Sequence, residues 1–386
     1  MTTILLFIII LGLLVFFHEM GHFLAARFFG VKAEEFGFGF PPRIFGFLYD
    51  DQKKRHTLVW GNKETKSPYT LYSLNWLPLG GFVRIKGEDG TIQDPDSFGV
   101  QPAWKRIVIL VAGVVMNFIA AVILFALVFA IGVRQPIDAS VTNQYQDTQI
   151  QVLQVSPNSS AQAAGLEPGD QILTINDTPV TDIESVKVNL EAAKGEQLAI
   201  TIDRLGDMKT LKGEFVAPTD TAGAQNAKFG IVYSHTATVK LGMGEALLQG
   251  VTTTYNVTGA ILSAFGKLIG GLFGGPAVTG VDLTGPVGIV YITKQMSDLG
   301  LVYILQFAAL LSVNLAIINI LPIPALDGGR ILFILIEKLK GSPVKRGTEG
   351  LIHQIGFLLL IFLMVFITTR DVIKFELFQK ITSIFS

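Results

Sequence analysis

Residues 4–26 read ILLFIIILGLLVFFHEMGHFLAA. From Ile4 to Phe17 every residue is apolar or glycine. A run of this kind predicts a membrane-spanning helix, because about 20 apolar residues cross a hydrocarbon core. His18, Glu19 and His22 interrupt it. Positions i and i+4 share a helix face, so the two imidazoles point at one place. Two neutral imidazoles on one face make half a zinc site, and the intervening glutamate is placed to act as a general base. Ionisable groups inside a membrane helix are costly and mark function. Ile4 to His18 is fourteen residues, about 21 Å of helix. That depth lies past the midplane of a core about 30 Å thick.

Three further runs are long enough to span: 107–131, 301–321 and 351–369. The 386 residues are 50% hydrophobic and 16% charged, against about 25% charged in soluble domains. A wholly soluble chain and a disordered one are both excluded. A net charge of −1 argues against a nucleic-acid partner. With no cysteine there is no disulfide, thiolate nucleophile or cysteine-ligated zinc. The first run lacks a basic leader and its apolar core is too long for a cleaved signal, so it reads as a span. Basic residues crowd the connection between spans one and two, Lys53, Lys54, Arg55, Arg84, Lys86, Lys105 and Arg106 among them. Another group, Arg330 to Arg346, lies between spans three and four. The positive-inside rule then puts these connections in the cytoplasm. Both termini and residues 132–300 fall outside.

A hydrolytic zinc needs a third protein ligand and one open position. The best candidate follows span three, in Asn319-Ile320-Leu321-Pro322-Ile323-Pro324-Ala325-Leu326-Asp327-Gly328-Gly329. The two prolines break the helix and the two glycines allow close backbone approach. Irregular backbone at membrane depth is tolerated only where protein buries it or it lines a cavity. Asp327 there is suited to be a carboxylate ligand, at the same depth as His18. The amide of Asn319 suits either an oxyanion or an interhelical hydrogen bond. Asn117 and Asn314 read as packing residues. His56, His235 and His353 read as surface or interface residues.

Segment 136–235 is polar, with strand-like runs at 149–155, 171–175 and 197–203. Its Ala164-Gly165-Leu166-Glu167-Pro168-Gly169-Asp170-Gln171-Ile172 resembles a PDZ domain of the bacterial protease-associated type. Such a domain binds extended peptide at a sheet edge. The Gly-spotted stretch 241–275 reads as an amphipathic helix pair on the outer membrane surface.

Taken together, His-Glu-x-Gly-His in the first span, the PDZ-like segment and Asn-x-x-Pro-x-Pro-x-Leu-Asp-Gly-Gly resemble the site-2 protease family. The similarity is to its bacterial RseP type of intramembrane zinc metalloprotease, with one PDZ-like segment where some members carry two. The resemblance implies that His18, His22 and Asp327 bind Zn2+, that Glu19 is the catalytic base and that Asn319 assists at substrate or transition state. Gly80-Gly81-Phe82-Val83 resembles the family's membrane-reentrant β segment, and a substrate unwound from its helix would pair with that edge. The implied partners are the lipid bilayer and single-span membrane proteins or signal-peptide remnants. Anti-sigma factors, already trimmed by a site-1 protease, belong to this class.

The expected fold is a multi-span α-helical membrane protein of about four transmembrane helices, with a reentrant β segment and an inserted extracytoplasmic PDZ-like α+β domain. Three regions follow: 1–135, with the first two spans; 136–235, PDZ-like; and 236–386, with the amphipathic stretch and the last two spans. The expected location is the bacterial cytoplasmic (inner or plasma) membrane, with the site toward the cytoplasm. A scaffold would not need Glu19, and a metal transporter needs neither a base beside its ligands nor a peptide-binding domain.

Overall fold

The run from residue 4 forms one helix, α1 (Thr2–Phe28), in the computed structural model of the chain. The structure describes residues 2–51, 54–63, 67–88, 92–156, 159–192, 197–214, 230–272, 285–342, 344 and 346–374. Residues 273–275 of the Gly-spotted stretch lie outside these. Three strands follow α1: β1 (Ala33–Asp50), β2 (Arg55–Trp60) and β3 (Leu71–Ile85). Then comes α2 (Ala103–Ile131), which carries no charged residue beyond Arg106.

The next unit runs from Phe129 to Gly242. It contains β4 (Val133–Pro136), β5 (Gln149–Val155), α3 (Ser160–Ala163), β6 (Gln171–Ile175), β7 (Thr178–Pro179) and α4 (Ile183–Ala192). It closes with β8 (Gln197–Arg204), β9 (Asp207–Glu214) and β10 (Ile231–Val239). The sheet order is β4-β10-β5-β6-β8-β9, with β7 on β6. The alternation of β8 puts Leu198, Ile200 and Ile202 into a core with Ile150, Ile172, Ile175, Val186 and Leu190. Asp170, only 1% exposed, accepts from Glu167 N (2.9 Å) and takes Arg204 through Nε (2.6 Å) and a terminal nitrogen (2.7 Å). The turn before β6 is thereby tied to β8. Asp170→Ala should cost about 2 kcal/mol, the scale of hydrogen bonds to charged groups. Thermal unfolding of the full chain should show a lower midpoint; an unchanged midpoint would mean the pair adds nothing.

The remaining helices are α5 (Met243–Leu272), α6 (Pro286–Leu299), α7 (Leu301–Ile320), α8 (Asp327–Lys340) and α9 (Arg346–Lys374). With residues 1–128 they form the other unit. Among the described residues, four helices are long and apolar enough to cross a membrane: α1, α2, α7 and α9. Two expectations need correction. The stretch from 243 is one continuous helix, not a pair. Its Val257, Ile261 and Phe265 recur every four residues and pack on Ala121, Val313 and Ile317 of α2 and α7. Gly250 permits the approach, since a Cβ there would lie 2.6 Å from the Val122 carbonyl oxygen. Second, the basic connection after residue 326 is largely helical, because Phe333 and Ile334 give α8 a buried face.

The three-stranded sheet has an unusual register. β3 is bent, and both of its arms pair with residues 33–38 of β1: Phe36 faces Val83 on one side and Tyr72 on the other. The arm at 81–85 has no second strand partner among the described residues. The bend packs against α1. A Cβ at Gly80 would meet the Val15 side chain at 2.7 Å, and one at Gly12 would meet the Pro78 carbonyl oxygen at 3.1 Å. A strand edge thus runs alongside an apolar helix within the helix's own length.

Candidate metal centre and active site

His18 and His22 lie one turn apart on α1, both buried. Their Nε2 atoms are 3.1 Å apart. Asp327 at the start of α8 brings Oδ2 to 3.0 Å from His18 Nε2 and 3.3 Å from His22 Nε2. Three donor atoms from positions 309 residues apart at most thus form a small triangle. A tetrahedral zinc with bonds of about 2.0–2.2 Å needs ligand atoms about 3.3–3.6 Å apart. The triangle fits zinc within a few tenths of an ångström, and its nitrogen and oxygen donors are those zinc takes.

The far nitrogen of each ring is also held. His22 Nδ1 donates to the Ile109 carbonyl oxygen at 2.8 Å. The Asn117 amide lies 3.2 Å from His18 Nδ1. With Nε2 as ligand, Nδ1 carries the proton and needs an acceptor. Asn117 Oδ1 is buried without a partner among the described residues, and a half-turn of the amide aims it at that proton. Asn117 does not only pack between helices, as the sequence suggested. It also packs: its backbone oxygen accepts from Ser312 on α7 at 2.8 Å. Gly113, one turn before Asn117, faces the rings. A Cβ there would fall 2.4 Å from His22 Nε2 and 2.8 Å from His18 Cε1. The bare Cα makes room for the ligand pair.

Glu19 is one residue beyond His18 and half-buried. Its Oε2 accepts from the Val83 backbone N–H at 3.0 Å. The unpaired edge of β3 therefore meets the carboxylate. Gly81 lies against Phe16 and the Gly37 carbonyl oxygen, and Phe82 stacks on Phe40. Gly80 to Val83 thus line α1 from Val15 to Glu19. Asn319, in the last turn of α7, places Nδ2 at 3.3 Å from His18 Nε2. His18, His22, Asp327, Glu19, Asn319 and Val83 all meet here.

The other singled-out polar residues lie elsewhere. Asn314 donates to Leu310 of its own helix. His56 packs edge-on against Tyr49. His235 is buried within the sheet of the 129–242 unit rather than at a surface. Sequence reasoning missed Gly113, the two partners of Nδ1 and the Val83 N–H. One signal was available. Gly113 and Asn117 are spaced i, i+4 in an otherwise apolar span, so they share a face.

A family model described as "Peptidase family M50" matches residues 6–363. The chain is 32% identical to the "Regulator of sigma-W protease RasP" of Bacillus subtilis, covering 96% of this chain and 98% of that one. It is 29% identical to the "Zinc metalloprotease RasP" of Geobacillus kaustophilus, covering 97% and 99%. A putative zinc metalloprotease of Agrobacterium fabrum is 30% identical over 95% of this chain and 94% of its own length.

Proposed function

The chain belongs to peptidase family M50, and from that premise we propose that this zinc metalloprotease cleaves membrane-protein substrates within or beside their transmembrane segments. One observation carries the reading: three zinc-type donors converge beside a carboxylate partway along an apolar, span-length helix. In it His18, His22 and Asp327 hold the metal and Glu19 is the general base. A zinc bound by these residues would supply Lewis acidity for a water and for the scissile carbonyl. Glu19 takes the water's proton and passes it to the leaving amine. Asn319 donates its amide N–H to the developing oxyanion.

A peptide bond in a membrane helix is covered by its own hydrogen bonds, so the substrate must unwind first. The open edge at Gly80–Val83 supplies replacement partners by strand addition. That edge would enter the membrane with α1, as a reentrant segment. Val83→Pro removes the N–H that donates to Glu19 and spoils the edge. Cleavage should fall at least tenfold with zinc content unchanged; cleavage at the wild-type rate would sink the edge assignment.

Positive-inside sidedness puts the site toward the cytoplasm of a bacterial inner or plasma membrane. The 129–242 unit then lies outside and acts as a PDZ-like screen for substrate ends. Its region is the middle of three, between N- and C-terminal membrane regions. The name of the Bacillus subtilis relative, regulator of sigma-W protease, favours anti-sigma-type single-span substrates, already trimmed by a first protease. Signal-peptide remnants share the same chemistry. The test is to map the cut in a purified single-span substrate by mass spectrometry. Cleavage inside or beside the span is expected. Cleavage confined to distant soluble loops would overturn the reading.

A further inference from the structure

We infer that His353 and Gly356 of α9 are positioning residues for the metal centre: they hold the turn between α7 and α8 so that the Asp327 carboxylate reaches the two histidines. This rests on the proposed assignment of Asp327 as a zinc ligand. Pro322 and Pro324 bring no N–H to that turn. Ile323 N donates to Leu321 O at 2.7 Å and Leu326 N to Ile323 O at 3.2 Å, both within the turn. Ala325 N instead leaves it and donates to His353 Nδ1 at 2.8 Å. Ala325 also has φ +77, in the left-handed region that a residue with a Cβ disfavours. The turn is thus held from outside at its strained residue.

Two residues of chain reach about 7 Å. A small rotation at Ala325 therefore moves Asp327 by more than the ±0.2 Å or so that a ligand set tolerates. Gly356 shares the face of His353 at i+3. A Cβ there would come 2.5 Å from Pro324 Cβ and 2.8 Å from its carbonyl oxygen. α9 thus meets the turn backbone to backbone, one helical turn beyond the hydrogen bond. The ring of Phe333 on α8 packs on His353 at 5.3 Å between centroids.

The imidazole accepts at Nδ1, so in its neutral form the proton is on Nε2. That atom is buried without a partner among the described residues. A buried unsatisfied donor is a cost to stability. Packing alone would be better served by a leucine. The ring is used for its acceptor.

The experiment measures zinc affinity by chelator competition, and kcat and KM on a single-span substrate, with the full chain in detergent. Asp327→Ala is the reference and should lose zinc. His353→Leu should weaken zinc binding about 10-fold, the lower end of the effect of losing a ligand's own outer partner, since His353 touches the turn and not Asp327 itself. It should also lower kcat with KM little changed. His353→Asn keeps an acceptor oxygen near the place of Nδ1 and should stay within about threefold of wild type. Gly356→Ala should weaken zinc binding without touching the imidazole. Should His353→Leu fail to fold, Gly356→Ala decides. Wild-type zinc affinity in His353→Leu or Gly356→Ala would overturn the inference, as would His353→Asn as weak as His353→Leu. Zinc fully retained in Asp327→Ala would instead overturn the ligand assignment itself.

Discussion

Glu19→Gln should retain its zinc and lose cleavage by about 10³-fold, within the 10²–10⁴ that a positioned acid–base group contributes. The two halves of that result have separate causes. In the proposed assignment His18, His22 and Asp327 hold the zinc, and their donor atoms come together without Glu19. Glutamine has the same length as glutamate, and its carbonyl oxygen still accepts from the Val83 N–H. Ligands and strand edge are therefore undisturbed. What is lost is a group able to take a proton from water and give it to an amine. Metal content by mass spectrometry and turnover of a single-span substrate measure the two halves. Equal cleavage by the variant would remove Glu19 from the mechanism and point to a contaminating protease. Loss of zinc with loss of cleavage would make Glu19 a ligand or a support of one. Glu19→Asp adds a finer check. It keeps the carboxylate but withdraws it by one methylene from Val83 and the ligands, so its activity should fall between the two.

The parts of this site that were legible in the sequence are those that short-range geometry dictates. His18 and His22 share a face because a helix repeats every 3.6 residues. An apolar run of that length leaves no other element for them. Asp327 was singled out by depth, where two prolines and two glycines break a span, and its carboxylate does meet the two histidines. What the sequence hid depends on pairing between distant segments. Nothing local says that residues 33–38 of β1 take both arms of β3 as neighbours, so the strand edge beside Glu19 could be named but not placed. α8 was obscured by the two prolines ahead of it and the two glycines in its first turn, although Phe333 and Ile334 carry its buried face. α5 was divided in two by its glycines, yet its stripe at 257, 261 and 265 continues past them. His353 lies 28 positions from the Ala325 N–H it accepts. A histidine at the head of an apolar span gives no sign of which turn it faces.

Gly113→Ala should remove zinc, and cleavage with it, through one added methyl group. The substitution is favourable for the helix that carries it, since alanine exceeds glycine by about 1 kcal/mol in a helix interior. A general loss of folding is therefore not the expected result. The methyl would lie 2.4 Å from His22 Nε2 and 2.6 Å from its Cε1, far inside contact distance. Something must move. His22 resists because its Nδ1 is tied to the Ile109 carbonyl oxygen at 2.8 Å. His18 has the Asn117 amide 3.2 Å behind it. α2 resists because Ser312 on α7 bonds the Asn117 backbone oxygen. Nor is there slack between α1 and α2, where Gly21 is so close that a Cβ would lie 2.3 Å from the Ala112 carbonyl oxygen. The rings must turn, or the helices must part by several tenths of an ångström. Either change exceeds the tolerance of about 0.2 Å on zinc–ligand distances. Zinc per chain should fall below about a tenth of wild type under the same chelator challenge, a loss of more than 1.4 kcal/mol in binding. Helical content should hold, and the thermal midpoint should fall no further than that of wild type stripped of its zinc. Full zinc occupancy with normal cleavage would mean that the rings bind metal from another position, and the triangle of His18, His22 and Asp327 would no longer describe the working site.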